Sequence, residues 1–146
     1  MKKMFLLLIM ISAATFSFAN TPVSEKVLKI FRDVYPNVEN AKWYENENSY
    51  EVYFEKDDVK CRIRYDIGGK LLSTTRYYSE NTLAPFLRVK VAQKFKGKKV
   101  FGITELTTED QLFYEIILED DKHWYHVHSD GMGQMTLAQK LNKSEK

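Results

Sequence analysis

His126 and His128 alternate along the chain, so an extended strand would project both imidazoles from one face. A tight hairpin would set Glu115 opposite His126, bringing together three groups able to ligate a divalent cation. The chemistry of such a set is metal or small-ligand sensing. No fourth ligand is apparent, however, and Glu115 with His126 also makes an ordinary ion pair worth less than about 1 kcal/mol. The corresponding pair Glu51 and Arg62 has no metal chemistry, which favours the ion pair. No metal and no cofactor are therefore expected, with His126, His128 and Glu115 as the residues to watch.

Other reactive groups point the same way. Cys61, the only cysteine, alternates onto an inward face opposite Val52, where a thiol behaves as a small hydrophobe. It excludes an internal disulfide. His123 falls on an inner face near Leu118, a structural position. There is no Ser-His-Asp set, glycine-rich phosphate loop or metalloprotease helix, and Glu51 and Glu55 lie on an exposed strand beside Arg62 and Asp58. An enzyme is not expected.

The strands that must carry these residues are read from period-two alternation. Tyr50, Val52 and Phe54 face one way, Glu51, Tyr53 and Glu55 the other; Val59, Cys61, Ile63 and Tyr65 then alternate with Lys60, Arg62, Arg64 and Asp66. A turn at Lys56-Asp57 would pair Glu55 with Asp58, Val52 with Cys61 and Glu51 with Arg62. The same register further on pairs Ile116 with Tyr125 inside, and Glu115 with His126, Ile117 with Trp124 and Phe113 with His128 outside. Asp66-Ile67-Gly68-Gly69 and Asp130-Gly131-Met132-Gly133 mark further turns. Strands through 70–75 and 134–138 would complete the sheets, with weaker strands around 38–43 and 100–106.

The outer face of the later hairpin is unusual. It presents Phe113, Ile117 and Trp124 beside His126, His128, Glu115 and Glu119, where the earlier one carries Ser49, Tyr53, Lys60, Arg62 and Arg64. Aromatic residues on a face that should be polar are expected where something docks. The candidate partner-binding residues are Phe113, Ile117, Trp124, His126, His128 and Tyr53. What covers them is left open between a protein or peptide partner, the other half of the chain and a homodimer mate.

Sliding the sequence along itself by 64 positions superimposes Phe31 on Phe95, Tyr50-Glu51 on Tyr114-Glu115, Asp66 on Asp130 and Gly69 on Gly133. That correspondence predicts a tandem α+β repeat, each copy a helix packed on an antiparallel sheet of about four strands. The first helix would start at Thr21-Pro22, bury Val23, Val27, Ile30, Phe31 and Val34, and end at Tyr35-Pro36. The second would open at Pro85, bury Leu87, Val91 and Phe95, and stop near Gly97. Each unit alone is marginal, so the two should unfold together.

Lys2 and Lys3, an apolar run from Phe5 to Ile11 and Ser17-Phe18-Ala19 predict a secretory signal peptide over 1–19. The apolar run is too short for a membrane anchor, and no cysteine follows it for lipid attachment. The expected organisation is a signal peptide 1–19, a first α+β repeat 20–78, a second 79–142 and a tail 143–146. The chain carries 22 basic and 20 acidic residues; loss of Lys2 and Lys3 would leave it formally neutral. Interspersed signs offer no footprint for nucleic acid, and no membrane insertion after processing is expected.

Tyr35-Pro36, Trp43, Tyr50-Glu51-Val52-Tyr53-Phe54, Tyr65-Asp66 and Gly69 resemble the PepSY-like, β-lactamase-inhibitor-like family of small periplasmic proteins from Gram-negative bacteria. The resemblance spans roughly residues 23 to 140. It implies tandem units of a helix on a four-stranded sheet, and a non-enzymatic envelope protein that binds or inhibits another protein. The second repeat lacks the Tyr-Pro and Trp landmarks at the matching positions, and one cysteine cannot supply the disulfides of the secreted inhibitors. No inhibitor contact residue carries over. The expected function is thus a periplasmic or secreted binding or inhibitor-like protein contacting a protein or peptide through an exposed sheet face; the alternative is an envelope metal or small-ligand sensor.

Overall fold

A computed structural model describes residues 23–144 of the chain. The signal peptide expected over 1–19, the Thr21-Pro22 helix start and the last two residues lie outside that range. Helix α1 spans Glu25–Val34 and is followed by β1 (Lys42–Asn46), β2 (Ser49–Lys56), β3 (Val59–Asp66) and β4 (Leu71–Tyr78). A short 3-10 turn, Glu80–Thr82, leads into α2 (Pro85–Lys94), then β5 (Lys99–Thr108), β6 (Leu112–Glu119), β7 (His123–Asp130) and β8 (Met135–Asn142). Among the described residues no helix is long and apolar enough to cross a membrane.

Ser24 rather than Thr21 caps α1: its hydroxyl accepts the N–H of Val27 at 3.4 Å, satisfying a donor that the first turn leaves over. Pro85 occupies the first turn of α2, where its missing N–H is harmless. Val27 and Phe31 are the buried positions of α1, and Leu87 and Val91 those of α2.

The expected tandem of helix-on-four-strand units is overturned. All eight strands form one antiparallel sheet in the order β1 to β8, with the two short helices on one of its sides. The joint is the β4–β5 ladder, which runs from Ser73 opposite Thr108 to Tyr78 opposite Ile103. Two separate sheets would have left a row of unpaired N–H and C=O groups along both of these strands. Pairing them removes both edges, so among the described residues only β1 and β8 remain as edges of the sheet.

Every strand neighbour is therefore also a sequence neighbour, and alternation fixes which side chains meet the helices. Val27 and Phe31 pack with Tyr50, Val52, Phe54, Ile63 and Tyr65. Leu87 and Val91 pack with Ile103, Tyr114, Ile116, Leu118, Tyr125, Val127 and Met135. Partly buried Cys61 touches both groups. Full burial of Ile116 and Leu118, each 0% exposed, contributes about 1.5–3 kcal/mol apiece.

Both predicted hairpins form two residues out of the expected register. Lys56 pairs with Val59, so the turn is Asp57-Asp58, with φ of 52° and 61°. Left-handed backbone at both central positions suits aspartate better than lysine. Tyr53 thus faces Arg62, Val52 faces Ile63 and Glu51 faces Arg64. In the later hairpin Glu115 faces His128, Ile117 faces His126, Glu119 faces Trp124 and Leu118 faces Tyr125. A slip of two leaves every residue on its expected face, because the side-chain period is two.

Candidate functional site

The helix-free face of β5 to β8 carries Phe113, Ile117, Trp124, His126 and His128 together, as alternation requires. All five are half-buried. The other half of the chain does not cover them, because it continues the same sheet rather than facing it.

Three residues that periodicity did not single out complete this surface. Leu106 lies directly opposite Phe113. Leu141 lies opposite Trp124 on β8. Phe101 sits in a register shift between Val100 and Gly102, which turns its ring toward Trp124, edge to face at 4.8 Å between centroids. Phe101 is 64% exposed, unusually open for an aromatic side chain. The nearby Gly102 was the signal for this irregularity, since glycine within a strand often marks a bulge.

Gly102 has a second effect. It pairs with Ile117 but has no side chain, and a Cβ there would meet nothing within 4 Å. Ile117 therefore borders a gap in an otherwise filled row. Around it, the Lys143 ammonium lies 4.5 Å from the Trp124 ring centre and 2.6 Å from the Glu119 carboxylate. The result is an aromatic and aliphatic patch with charged groups at its margin, the composition of an interface core and rim.

The histidines do not assemble a metal site. His126 Nδ1 lies 3.1 Å from Glu115 Oε1, a diagonal contact, since Glu115 is opposite His128 in the ladder. His128 instead meets the Phe113 ring at 5.0 Å. Among the described residues no three His, Cys, Asp or Glu side chains are grouped so as to hold a metal ion.

Tyr53 is not brought to this patch. It shares the face, but β3, β4 and β5 separate it from Phe113 on β6, about 19 Å at ~4.8 Å per strand. It belongs to a polar group of its own. Its hydroxyl donates to Glu51 at 2.9 Å, Tyr44 packs against its ring at 5.3 Å, and the Arg62 guanidinium lies 5.6 Å from the ring centre. Glu51 also receives Arg62 through two hydrogen bonds and Arg64 at 3.2 Å. The Arg62 hydrogen bonds hold the Glu51 carboxyl below its ordinary range, assisted by Tyr53 and opposed by desolvation. A carboxylate so stabilised as an anion is a poor general acid.

His123 has the structural place expected of it. Its backbone N–H and Nδ1 both approach Asp120 Oδ1, at 2.8 and 3.2 Å. Asp120, which also accepts from the Tyr125 hydroxyl and the Lys122 N–H, is held well below the usual carboxylate range, chiefly by Tyr125. Cys61 is half-buried, and desolvation raises its thiol above the ordinary value, the opposite of what a nucleophile needs.

The sequence matches no protein-family model, and no curated protein matches it significantly. Solved structures do share its fold. A DUF2874 family protein from Bacteroides ovatus superposes with a TM-score of 0.62 at 16% identity, over 83% of this chain and 88% of that one. A BLIP-like protein from Bacteroides fragilis gives 0.65 at 15% identity, over 87% and 92%. A protein from Bacteroides eggerthii, assigned provisionally to the periplasm, gives 0.62 at 13% identity, over 83% and 89%. The fold is therefore BLIP-like in a loose sense, and nothing in these descriptions carries the PepSY part of the resemblance. At such identities the likeness concerns the fold.

Proposed function

We propose that this is a non-enzymatic binding protein of the cell envelope that docks a protein or peptide on the helix-free face of its sheet, centred on Trp124 and Ile117. The observation that carries this reading is the cluster of Phe101, Gly102, Ile117 and Trp124. An exposed ring, a gap and a half-buried indole lie close together on a face that neither α1 nor α2 covers. An aromatic anchor beside a recess is how binding energy concentrates at protein interfaces. The envelope location rests on the N-terminal Lys-apolar-small pattern, in keeping with the description of the Bacteroides eggerthii protein.

The test is capture of envelope proteins by immobilised chain, comparing wild type with Trp124→Ala, Phe113→Ala and Phe86→Ala. Phe86 is exposed on α2 and serves as the control. A partner retained by wild type and Phe86→Ala but lost with Trp124→Ala and Phe113→Ala supports the reading. Equal capture by all four overturns it. Sedimentation of the purified chain shows separately whether a second copy occupies the same face.

A further inference from the structure

On the helix side of the sheet, a cleft of about 540 Å³ opens where the C-terminal end of α1, the 3-10 turn before α2 and strands β2 to β4 meet. It is lined by Tyr35, Phe54, Val59 and Cys61, with Arg76 and Thr82 as polar groups and Lys56 and Asp57 from the hairpin tip. The volume lies within the range of small-molecule sites, and a lining shared between apolar and polar side chains suits a ligand that carries both kinds of group.

Arg76 is the informative residue. Among the described residues its one hydrogen bond runs from Nη1 to Glu105, at 3.1 Å. The guanidinium centre lies 5.2 Å from the Tyr78 ring centre, and Tyr78 also donates its hydroxyl to Glu105. The plane of the fork is thus fixed while its remaining N–H donors have no partner among the described residues. A fixed, planar guanidinium is matched to a carboxylate. Glu105 already balances the Arg76 charge, and the lining adds one cation, Lys56, and one anion, Asp57, so the cleft has no excess positive charge to hold a polyanion.

We propose that this cleft binds a small apolar monocarboxylate, its carboxylate received by the unpartnered donors of Arg76 and its body lying against Tyr35, Phe54 and Cys61. The site lies on the side of the sheet opposite the docking face, and its occupancy does not depend on that reading.

Cys61, as the only cysteine, reports on the cleft directly. The full chain is treated with iodoacetamide, and the rate of Cys61 alkylation is followed by intact mass, with 4-phenylbutyrate or the neutral 4-phenylbutan-1-ol as ligand. Several-fold protection by the carboxylate but not by the alcohol is expected. Arg76→Gln should weaken that protection tenfold or more in ligand concentration, and Glu105→Gln, which leaves Arg76 uncompensated, should strengthen it. Cys61 also lines a second cleft of about 440 Å³ with Tyr53 and Tyr77, which Arg76 does not reach. Protection that survives Arg76→Gln therefore places the ligand there and overturns the proposal. Equal protection by the alcohol, no protection, or weaker binding to Glu105→Gln also overturns it. If Arg76→Gln does not fold, the comparison of Glu105→Gln with wild type decides.

Discussion

Glu51 receives both Arg62 Nη2, at 2.7 Å, and Arg62 Nε, at 3.0 Å, although Arg62 stands opposite Tyr53 and not opposite Glu51 in the ladder. The contact is diagonal, and it accounts for a carboxylate only 9% exposed on the side of the sheet that has no helices.

Glu51→Gln is expected to lower stability by about 1–2 kcal/mol at pH 7, since it weakens charge-assisted hydrogen bonds to two arginines. The pH dependence has a definite sign. The folded carboxyl titrates below its unfolded value, so its contribution is fully present above the unfolded value and fades as pH falls through the folded one. Urea unfolding should show the gap between wild type and Glu51→Gln narrowing below about pH 4. A constant gap at all pH values would mean that the charge on Glu51 contributes nothing.

Gly102→Val places a side chain in the gap beside Ile117, where a Cβ meets nothing. Stability should change by no more than about 1 kcal/mol, with β-propensity favouring valine. Partner capture should nevertheless fall as far as with Trp124→Ala. Unimpaired capture would exclude the gap from the interface.

Phe101→Ala removes the edge contact to Trp124, worth about 0.5–1.5 kcal/mol. In a Trp43→Phe background, which isolates Trp124, its fluorescence should shift to longer wavelength as the indole becomes wetter. An unchanged spectrum would mean that Phe101 does not shield it.

Three glycines with positive φ separate backbone strain from crowding. An alanine Cβ at Gly133 would lie 2.7 Å from Lys90 Cδ and 3.0 Å from Leu87 Cδ2, and one at Gly69 would lie 2.6 Å from Ile30 Cδ1. At Gly97 it would meet nothing within 4 Å. All three replacements incur left-handed strain of about 1 kcal/mol or more. Thermal unfolding should therefore rank Gly133→Ala and Gly69→Ala as more damaging than Gly97→Ala.

Val27→Ala under α1 and Leu87→Ala under α2 each empty a fully buried position. Leu87→Ala should lose about 2–5 kcal/mol and Val27→Ala somewhat less. Because one ladder joins the halves, either change should move a single unfolding transition seen by all probes. Two separated transitions would show that the β4–β5 pairing does not couple them.

Alternation is enough to assign Val52, Ile63, Ile116 and Tyr125 to the helix side, and Phe113, Ile117 and Trp124 to the other, because inward and outward faces survive a slip of two. It could not fix the slip itself, which depends on Asp57 and Asp58 adopting left-handed backbone. Nor could it show that β4 pairs with β5. Thr74, Arg76, Glu105 and Thr107 are polar, so the centre of the sheet carries no apolar stripe to announce a joint. Phe101 escapes such a reading for a local reason: its bulge breaks the period that would have placed it. The cleft at Arg76 brings together residues from the end of α1, β2, β3, β4 and the 3-10 turn, a convergence that no spacing along the chain encodes.

Eight hydrogen-bonded strands in simple order have a further consequence. At the usual rotation of roughly 20–25° between neighbouring strands, the seven steps from β1 to β8 would turn the sheet by something on the order of 150°. The Tyr44–Tyr53 pair near one end and Trp124 near the other are thus presented along very different lines of approach. A flat partner can engage one of them; a partner that engages both must wind around the sheet like a propeller blade's neighbour, and its own curvature would select it.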